Sequence, residues 1–307
     1  MSGPATSASG SPRLSSTDVG LLVALGVLWG SAYIFIRQGL VFGASPLLFA
    51  GVRYALSAAL FAALALARRE SRPSRRSLAV SSTVGGLLII GLYGGFLYWG
   101  EQFTTGGYAA ALSSTVPILT VLASYSLLPE ERLGRLSLAG VLVGLVGVIV
   151  LVLPEVTKGP LGSWEGPGFV IAAFLSTVVG SVLLRRFGGG RQGLWQIGAQ
   201  FAVGAVLLGS ATVLLPIPEA LPFTFPVWSA LLLLVVFSSV LGYFTYFVLH
   251  HRVGPSRANV VTYLIPLVGI GVGSGIYGEP VTPWEIAGFV IVLAGVTLAV
   301  RGSNRPR

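Results

Sequence analysis

Two charged side chains stand out because they interrupt long apolar runs in which charges are rare. Arg53 lies in the stretch FAGVRYALSAAL, and Glu101 lies near the end of a later apolar run. A guanidinium stays protonated in proteins, so the charge of Arg53 cannot be removed by losing a proton. We weigh two roles for Arg53: anchoring its helix through carbonyls or Glu101, or meeting a carboxylate of a solute. Glu101 is either a proton-coupling site, a partner of Arg53, or an acid at the membrane surface.

Groups that catalyse reactions or hold cofactors are scarce in this sequence. The chain has no cysteine and one aspartate, and it contains no D-D-x-x-D, H-x-x-x-H or Walker sequence. Metal sites and phosphate-binding loops need such clusters. We therefore predict a protein that is not an enzyme, with no cofactor, no metal and no catalytic residue.

The composition is that of a membrane protein. Of 307 residues, 54% are hydrophobic and 9% are charged, whereas soluble domains carry about 25% charged residues. Ten apolar segments are each close to the roughly 20 residues that span a bilayer. We predict an all-α integral membrane protein with helices near 19–40, 46–67, 78–102, 107–127, 136–153, 167–186, 194–215, 227–251, 257–277 and 284–300. Membrane lipids are its expected surroundings.

The basic residues follow the alternation of the predicted loops. Sixteen Lys and Arg residues lie in the tails and loops on one side, Arg37 and Lys158 lie on the other, and Arg53 lies within a span. Cytoplasmic loops of membrane proteins carry the excess of Lys and Arg. The pattern predicts cytoplasmic termini, and it accounts for the net charge of +9 without nucleic acid as a partner.

The two halves of the chain are related by an offset of 148 residues. Gly94, Phe96 and Tyr98 align with Gly242, Phe244 and Tyr246. An odd number of helices per copy inverts the second copy, and inverted repeats typically enclose a transporter's midplane site. We predict two inverted five-helix repeats around a central cavity. The predicted segments are a disordered tail (1–17), the first repeat (18–153), an extracytoplasmic linker (154–166), the second repeat (167–301) and a basic tail (302–307).

The order of short motifs resembles the drug/metabolite transporter superfamily, in its EamA-type branch with ten helices. The first repeat carries Trp29-Gly30-Ser31, Arg37, Phe49-x-x-x-Arg53-Tyr54, Tyr98, Thr104–Ala109, Pro117, Pro129-Glu130-Glu131 and Gly140/Gly147; the second carries Pro266, Glu279 and Gly288/Gly295. Thr177-Val178, opposite Trp29-Gly30, departs from the pattern. The resemblance implies export or uptake of small metabolites by alternating access without nucleotide hydrolysis. The aromatic content resembles amino-acid exporters, including aromatic amino-acid exporters, of the bacterial inner membrane.

Polar and aromatic side chains within spans are expected to face a cavity or another helix. The predicted cavity residues are Tyr98, Trp99, Gln196, Gln200, Tyr243, Tyr246, Asn259 and Tyr263. Gln196 and Gln200 share one helix face, and they suit either a cavity wall or hydrogen bonds between helices. Pro117 and Pro266, both within spans, predict kinks or hinges.

Glycine spacings such as Gly140/Gly144 and Gly271/Gly275 predict close helix contacts. Two other functions stay open at this stage: a non-transporting membrane subunit, and an integral-membrane enzyme that modifies lipids. A monomer is compatible with the sequence.

Overall fold

The structure, a computed structural model, describes residues 15–127, 135–158, 164–187, 192–216, 218, 220–253 and 261–303. These residues form ten helical rods and, within those ranges, no β-strand. The first five are α1 (Ser16–Val41), α2 (Pro46–Ala67), α3 (Arg75–Gly100), α4 (Gly106–Leu127) and α5 (Arg135–Lys158). The others are α6 (Glu165–Phe187), α7 (Leu194–Leu214), α8 (Phe225–Leu233, Leu234–Leu241 and Gly242–Val253 without a break), α9 (Val261–Tyr277) and α10 (Pro283–Ser303).

All ten predicted helices are present, and most boundaries agree within a few residues. Eight are long and apolar enough to cross a membrane, and the apolar parts of α9 and α10 are shorter. The predicted all-helical fold is confirmed. The predicted capping box is also present: Glu285 N–H donates to Thr282 Oγ1 at 3.2 Å, and Thr282 N–H donates to Glu285 Oε2 at 3.0 Å.

Several predicted boundaries are corrected because helices extend further than their apolar cores. The helix α1 begins at Ser16, inside the predicted tail, and α10 continues to Ser303. The predicted linker loses residues at both ends, since α5 reaches Lys158 and α6 begins at Glu165. The tail residues 1–14 and 304–307 and the motif at 129–131 lie outside the described residues.

Packing between helices follows the inverted symmetry of two five-helix repeats. The helices α5 and α10 pack along each other, as do α2 and α7, which pairs equivalent helices. The contact of α1 with α9 is matched by that of α6 with α4, and α1 with α8 by α6 with α3. A twofold exchange of the repeats maps this set of contacts onto itself.

The α5–α10 contact depends on glycine, as predicted for Gly140 and Gly144. A Cβ on Gly295 would lie 2.4 Å from the backbone nitrogen of Gly144 and 2.7 Å from the carbonyl oxygen of Gly140. The corresponding prediction for Gly271 and Gly275 is wrong, since a Cβ at either position has no neighbour within 4 Å among the described residues. Those two glycines lie on an open face of α9.

Two of the rods contain π-helical segments at related positions. Ser81–Leu92 in α3 and Leu234–Leu241 in α8 have i→i+5 hydrogen bonds. Such segments are rare and are frequently found at functional sites. Here they rotate the faces that α3 and α8 present to the centre of the bundle.

An acidic side chain caps a helix that belongs to the other repeat. The carboxylate of Glu70, after α2, accepts the backbone N–H of Leu194 at 3.0 and 3.1 Å, and the Trp195 indole donates to the Glu70 carbonyl at 3.1 Å. A negative charge at a helix N-terminus satisfies free N–H groups and the helix dipole.

Removing this cap is expected to weaken the α2–α7 junction. We expect Glu70→Ala to lower the free energy of unfolding by about 1 kcal/mol, as for other lost N-caps. Thermal unfolding of the detergent-purified protein would measure it. The matched control is Glu165→Ala, an exposed acid in the first turn of α6. Equal loss in both variants would contradict a capping role.

Candidate functional site

A central cavity of about 210 Å³ lies among eight of the ten helices. Its wall contains residues of α1–α4 and of α6–α9, four helices from each repeat. The lining residues are Trp29, Ala32, Tyr33, Ile36, Arg53, Tyr54, Ile89, Ile90, Tyr93, Leu97, Ser113, Val116, Phe174, Thr177, Phe201, Ser238, Tyr243, Thr262 and Ile265. The helices α5 and α10 pack outside this ring and contribute none of them.

The repeat relation is visible in the cavity wall itself. An offset of 148 residues pairs Trp29 with Thr177, Arg53 with Phe201, and Ile90 with Ser238, and an offset of 149 pairs Ser113 with Thr262 and Val116 with Ile265. All ten residues line the cavity. The two repeats therefore present equivalent positions to the same space, but with different side chains.

Arg53 is the one charged residue among the described cavity-lining residues. Its Nη1 donates to the Tyr98 hydroxyl at 2.9 Å, and its Nη2 donates to Ser238 Oγ at 2.9 Å. Its Nε is buried and has no hydrogen-bond partner within the described part of the chain. The predicted pairing with Glu101 does not occur in this conformation, since both Glu101 carboxylate oxygens also have no hydrogen-bond partner there.

Aromatic rings form much of the rest of the wall. Trp29 packs against Tyr243 with ring centroids 5.9 Å apart, and Phe201 lies 5.5 Å from both Tyr54 and Tyr243. The Trp29 indole N–H donates to the carbonyl of Ser238 at 3.2 Å, which fixes the ring. The wall is thus apolar, with a cation and several phenol hydroxyls.

Of the eight predicted cavity residues, Tyr243 is among the lining residues, Tyr98 and Tyr246 contact lining residues, and Tyr263 packs against the hydrophobic core. Tyr98 lies behind Arg53 and holds its guanidinium. Tyr246 packs on Trp29 at 5.4 Å, and Tyr263 is a partly buried neighbour of the lining residue Thr262. Asn259 lies outside the described residues.

The remaining three predicted cavity residues lie away from the wall. Trp99 packs against Phe169 of α6 with centroids 6.5 Å apart. Gln196 and Gln200 join α7 to α3: Gln196 Nε2 donates to Ser77 Oγ at 2.9 Å, and Gln200 Nε2 donates to Ser81 Oγ at 2.8 Å. Their shared face is used for hydrogen bonds between helices, which was the other interpretation of their spacing.

The two prolines lie next to the cavity in equivalent helices. A 3₁₀ turn, Ser113–Thr115, precedes Pro117 in α4, and Pro266 lies inside α9. Proline has no N–H to donate to the carbonyl four residues earlier. Those carbonyls belong to Ser113 and Thr262, and both residues line the cavity. A hinge function for the prolines stays a prediction.

Contacts between the repeats close the bundle at its two ends. At the end that carries the described chain termini, here the terminal end, Arg252 Nε of α8 lies 2.7 Å from Asp18 Oδ1 of α1. At the other end, here the distal end, Glu279 accepts the N–H groups of Gly106 and Gly107 at 3.1 and 2.7 Å.

Aromatic residues were the main part of the site that sequence reasoning missed. Trp29, Tyr54, Tyr93, Phe174 and Phe201 all line the cavity, but aromatic residues in apolar spans commonly contact lipid or other helices. The repeat offset could have indicated two cavity positions, because it relates Arg53 to Phe201 and Trp29 to Thr177, and all four residues line the cavity.

Comparison with known proteins identifies the protein class. The model of the EamA-like transporter family matches residues 18–153 and 164–301. The chain belongs to the EamA-like transporter family. This EamA-like chain is a multi-pass membrane protein. It is also similar to individual proteins over nearly its whole length.

Three relatives are similar to this chain over more than nine tenths of its length. The Escherichia coli K12 protein named uncharacterized inner membrane transporter YedA is 29% identical, over 92% of this chain and 90% of the relative. The Bacillus subtilis uncharacterized transporter YvbV is 26% identical, over 93% and 92%. A Salmonella typhimurium protein named probable amino-acid metabolite efflux pump is 25% identical, over 94% and 96%.

A crystal structure of a protein 20% identical in sequence shares the fold. It matches with a TM-score of 0.64, over 95% of this chain and 99% of that one.

Proposed function

We propose that this EamA-like protein is a secondary transporter that moves amino acids or similar small metabolites across the bacterial inner membrane. It works by alternating access, without ATP, as an exporter or facilitator, and it is not an enzyme. The observation that carries the proposal is the cavity that both repeats build around Arg53 and a wall of aromatic rings. The Salmonella relative named probable amino-acid metabolite efflux pump supports the substrate class.

The cavity wall fits a small zwitterion with an apolar part. Pockets for drug-sized ligands measure roughly 300 to 1,000 Å³, so 210 Å³ favours a small metabolite. The guanidinium of Arg53 offers a charge-assisted hydrogen bond to a carboxylate. The described lining residues include no acid, but the faces of Trp29 and Tyr243 can attract an ammonium group.

The pairing of equivalent helices supports the proposed alternating access. When one inverted repeat rocks against the other, contacts at one end break while equivalent contacts at the opposite end form. The Asp18–Arg252 ion pair joins α1 to α8 at the terminal end, and the Glu279 contact joins the α9–α10 loop to α4 at the distal end. Both ends are held together across the repeats in this conformation.

The orientation is part of the proposal. The distribution of Lys and Arg supports a cytoplasmic location of the terminal end. The distal end then faces the outside, and an exporter releases its substrate there.

The direct test is solute flux in proteoliposomes that contain no ATP. We expect the purified protein to move one or more labelled amino acids, in a panel of all of them, faster than empty liposomes. A Thr177→Trp variant, which fills the cavity, is the matched control and should be inactive. No flux across the amino acids and a broad metabolite panel would contradict the proposal.

A further inference from the structure

Glu101 is a buried carboxyl group that the proposed transport path does not use. It follows the last residue of α3, its exposed fraction is 0%, and neither carboxylate oxygen has a hydrogen-bond partner in the described chain. An ionised carboxylate in such surroundings is strongly disfavoured relative to the neutral acid. This closed conformation therefore suits the protonated form of Glu101.

The equivalent position in the second repeat holds a leucine. The repeat offset of 148 relates Glu101 to Leu249, which is also 0% exposed. Leu249 forms an apolar cluster with Leu22, Leu25 and Val261, here called the terminal seal. This cluster packs α8 against α1 and α9 at the terminal end.

The equivalent positions at the distal end include the carboxyl group. The same offset relates Leu22 and Leu25 to Val170 and Ala173 of α6, both 0% exposed. A Cβ on Gly100, the residue before Glu101, would lie 2.9 Å from Val170 Cγ2, so the end of α3 packs tightly on α6. We call Glu101, Val170 and Ala173, the positions equivalent to Leu249, Leu22 and Leu25, the distal seal.

The distal end also lacks the ion pair that holds the terminal end. The offset relates Asp18 to Gly166 and Arg252 to Thr104. Gly166 and Thr104 are in contact, since a Cβ on Gly166 would lie 3.3 Å from Thr104 Cβ. The Asp18–Arg252 ion pair at the terminal end thus corresponds to the uncharged Gly166–Thr104 contact at the distal end. The buried acid Glu101 lies at the same distal end.

The other charged and titratable groups near Glu101 are engaged elsewhere or exposed. Arg37 of α1 donates to the backbone carbonyls of Glu101 and Gln102, at 2.8 and 3.1 Å. Glu279 binds backbone N–H groups, and Arg53 binds Tyr98 and Ser238. The hydroxyls of Tyr33 and Tyr98 are the neutral titratable groups nearby. Glu165 of α6 is exposed. None of these groups makes a hydrogen bond to the carboxylate.

We propose that Glu101 is a proton-binding site that controls opening of the distal seal. The carboxyl group holds a proton while the seal is closed, and the O–H bond breaks when the seal opens and water accepts the proton. Closure of the seal takes a proton back from the same side. The inference rests on the proposed alternating access for its role in transport, but the seal can be tested without a substrate.

The direction in which pH shifts the distal seal follows from the proton affinity of Glu101 in the closed and open states. The closed state binds the proton more tightly than the open state, where Glu101 meets water. Raising the pH on the distal side therefore favours opening, and lowering it favours closure. The terminal seal contains no titratable side chain and should not share this dependence.

The test uses single cysteines, because the native chain has none. Val170→Cys reports the distal seal, Leu22→Cys the terminal seal, and Phe223→Cys, which replaces a side chain 88% exposed, serves as the reference. The purified protein is labelled with a charged maleimide, and each rate is divided by the Phe223→Cys rate at the same pH. This ratio removes the pH dependence of maleimide labelling that the two thiols share.

We expect the Val170→Cys ratio to rise several-fold between about pH 6 and about pH 9, a range that buried carboxyl groups can reach. Adding Glu101→Gln, which keeps the shape of the neutral acid, should remove the rise. The matched control Glu165→Gln, at an exposed acid of the distal end, should keep it, and the Leu22→Cys ratio should stay flat.

A rise that persists after the Glu101→Gln substitution, or one that Glu165→Gln abolishes, would overturn the inference. A Val170→Cys ratio without any pH dependence would overturn it as well. Loss of amino-acid flux in proteoliposomes is a separate result that bears on the proposed function, since the labelling needs no transport.

Discussion

Replacing Arg53 by glutamine is expected to reduce amino-acid flux by about 10- to 100-fold, because a hydrogen bond to a charged group is worth about 1.5 to 3 kcal/mol. Glutamine removes the one charge on the described cavity wall while keeping a polar side chain of moderate length. Initial rates in proteoliposomes, normalised to the amount of reconstituted protein, provide the measurement.

Two further variants separate a substrate contact from an anchor. Tyr98→Phe removes one acceptor of Arg53 and keeps the charge, so a much smaller loss of flux is expected. Arg53→Lys keeps the charge but cannot reach Tyr98 and Ser238 with the geometry of a guanidinium. We expect it to yield folded protein with impaired flux. Loss of folded protein would assign Arg53 to anchoring α2, and wild-type flux in Arg53→Gln would contradict its substrate role.

The second large effect is expected at the crossing of α5 and α10. A side chain at Gly295 collides with backbone atoms of Gly144 and Gly140, which cannot move as a flexible side chain can. We expect Gly295→Leu to destabilise the fold by about 1 to 3 kcal/mol or more, the usual cost of overpacking. Total stabilities are only about 5 to 15 kcal/mol.

The chain offers a matched control for that substitution. Gly275 also lies within an apolar helix, but a Cβ there has no neighbour within 4 Å in the part of the chain that the structure describes. Gly275→Leu should therefore keep the yield of monodisperse protein and the unfolding temperature, while Gly295→Leu lowers both. Similar behaviour of the two variants in size-exclusion chromatography and thermal unfolding would show that the α5–α10 contact is not close-packed.

The helices could be predicted from the sequence because lipid imposes a simple rule. A span must be long and apolar, and charged residues collect between spans, so the apolar runs and the Gly, Pro and Arg clusters between them located all ten helices. The rule does not say which neighbour a helix face meets. Gln196 and Gln200 do share one face, but that face meets Ser77 and Ser81 of α3 and not the cavity.

Helix faces were also shifted by backbone features that hydropathy does not encode. The π-helical segments Ser81–Leu92 and Leu234–Leu241 turn successive side chains through a smaller angle than an α-helix does. Periodicity therefore cannot place Ile90 or Ser238 on the cavity wall. Arg53 was identified because a charge in a span needs an explanation, whereas Phe201 resembles the residues that pack against lipid.

The most direct test of alternating access is whether one cavity residue can be reached from both sides of the membrane. Thr177→Cys places a single thiol on the cavity wall of the cysteine-free chain. In vesicles of known orientation, we expect a membrane-impermeant maleimide to label it from either face, whereas Phe223→Cys at the distal end is labelled from one face only. Labelling of Thr177→Cys from one face alone, or from neither, would contradict the account.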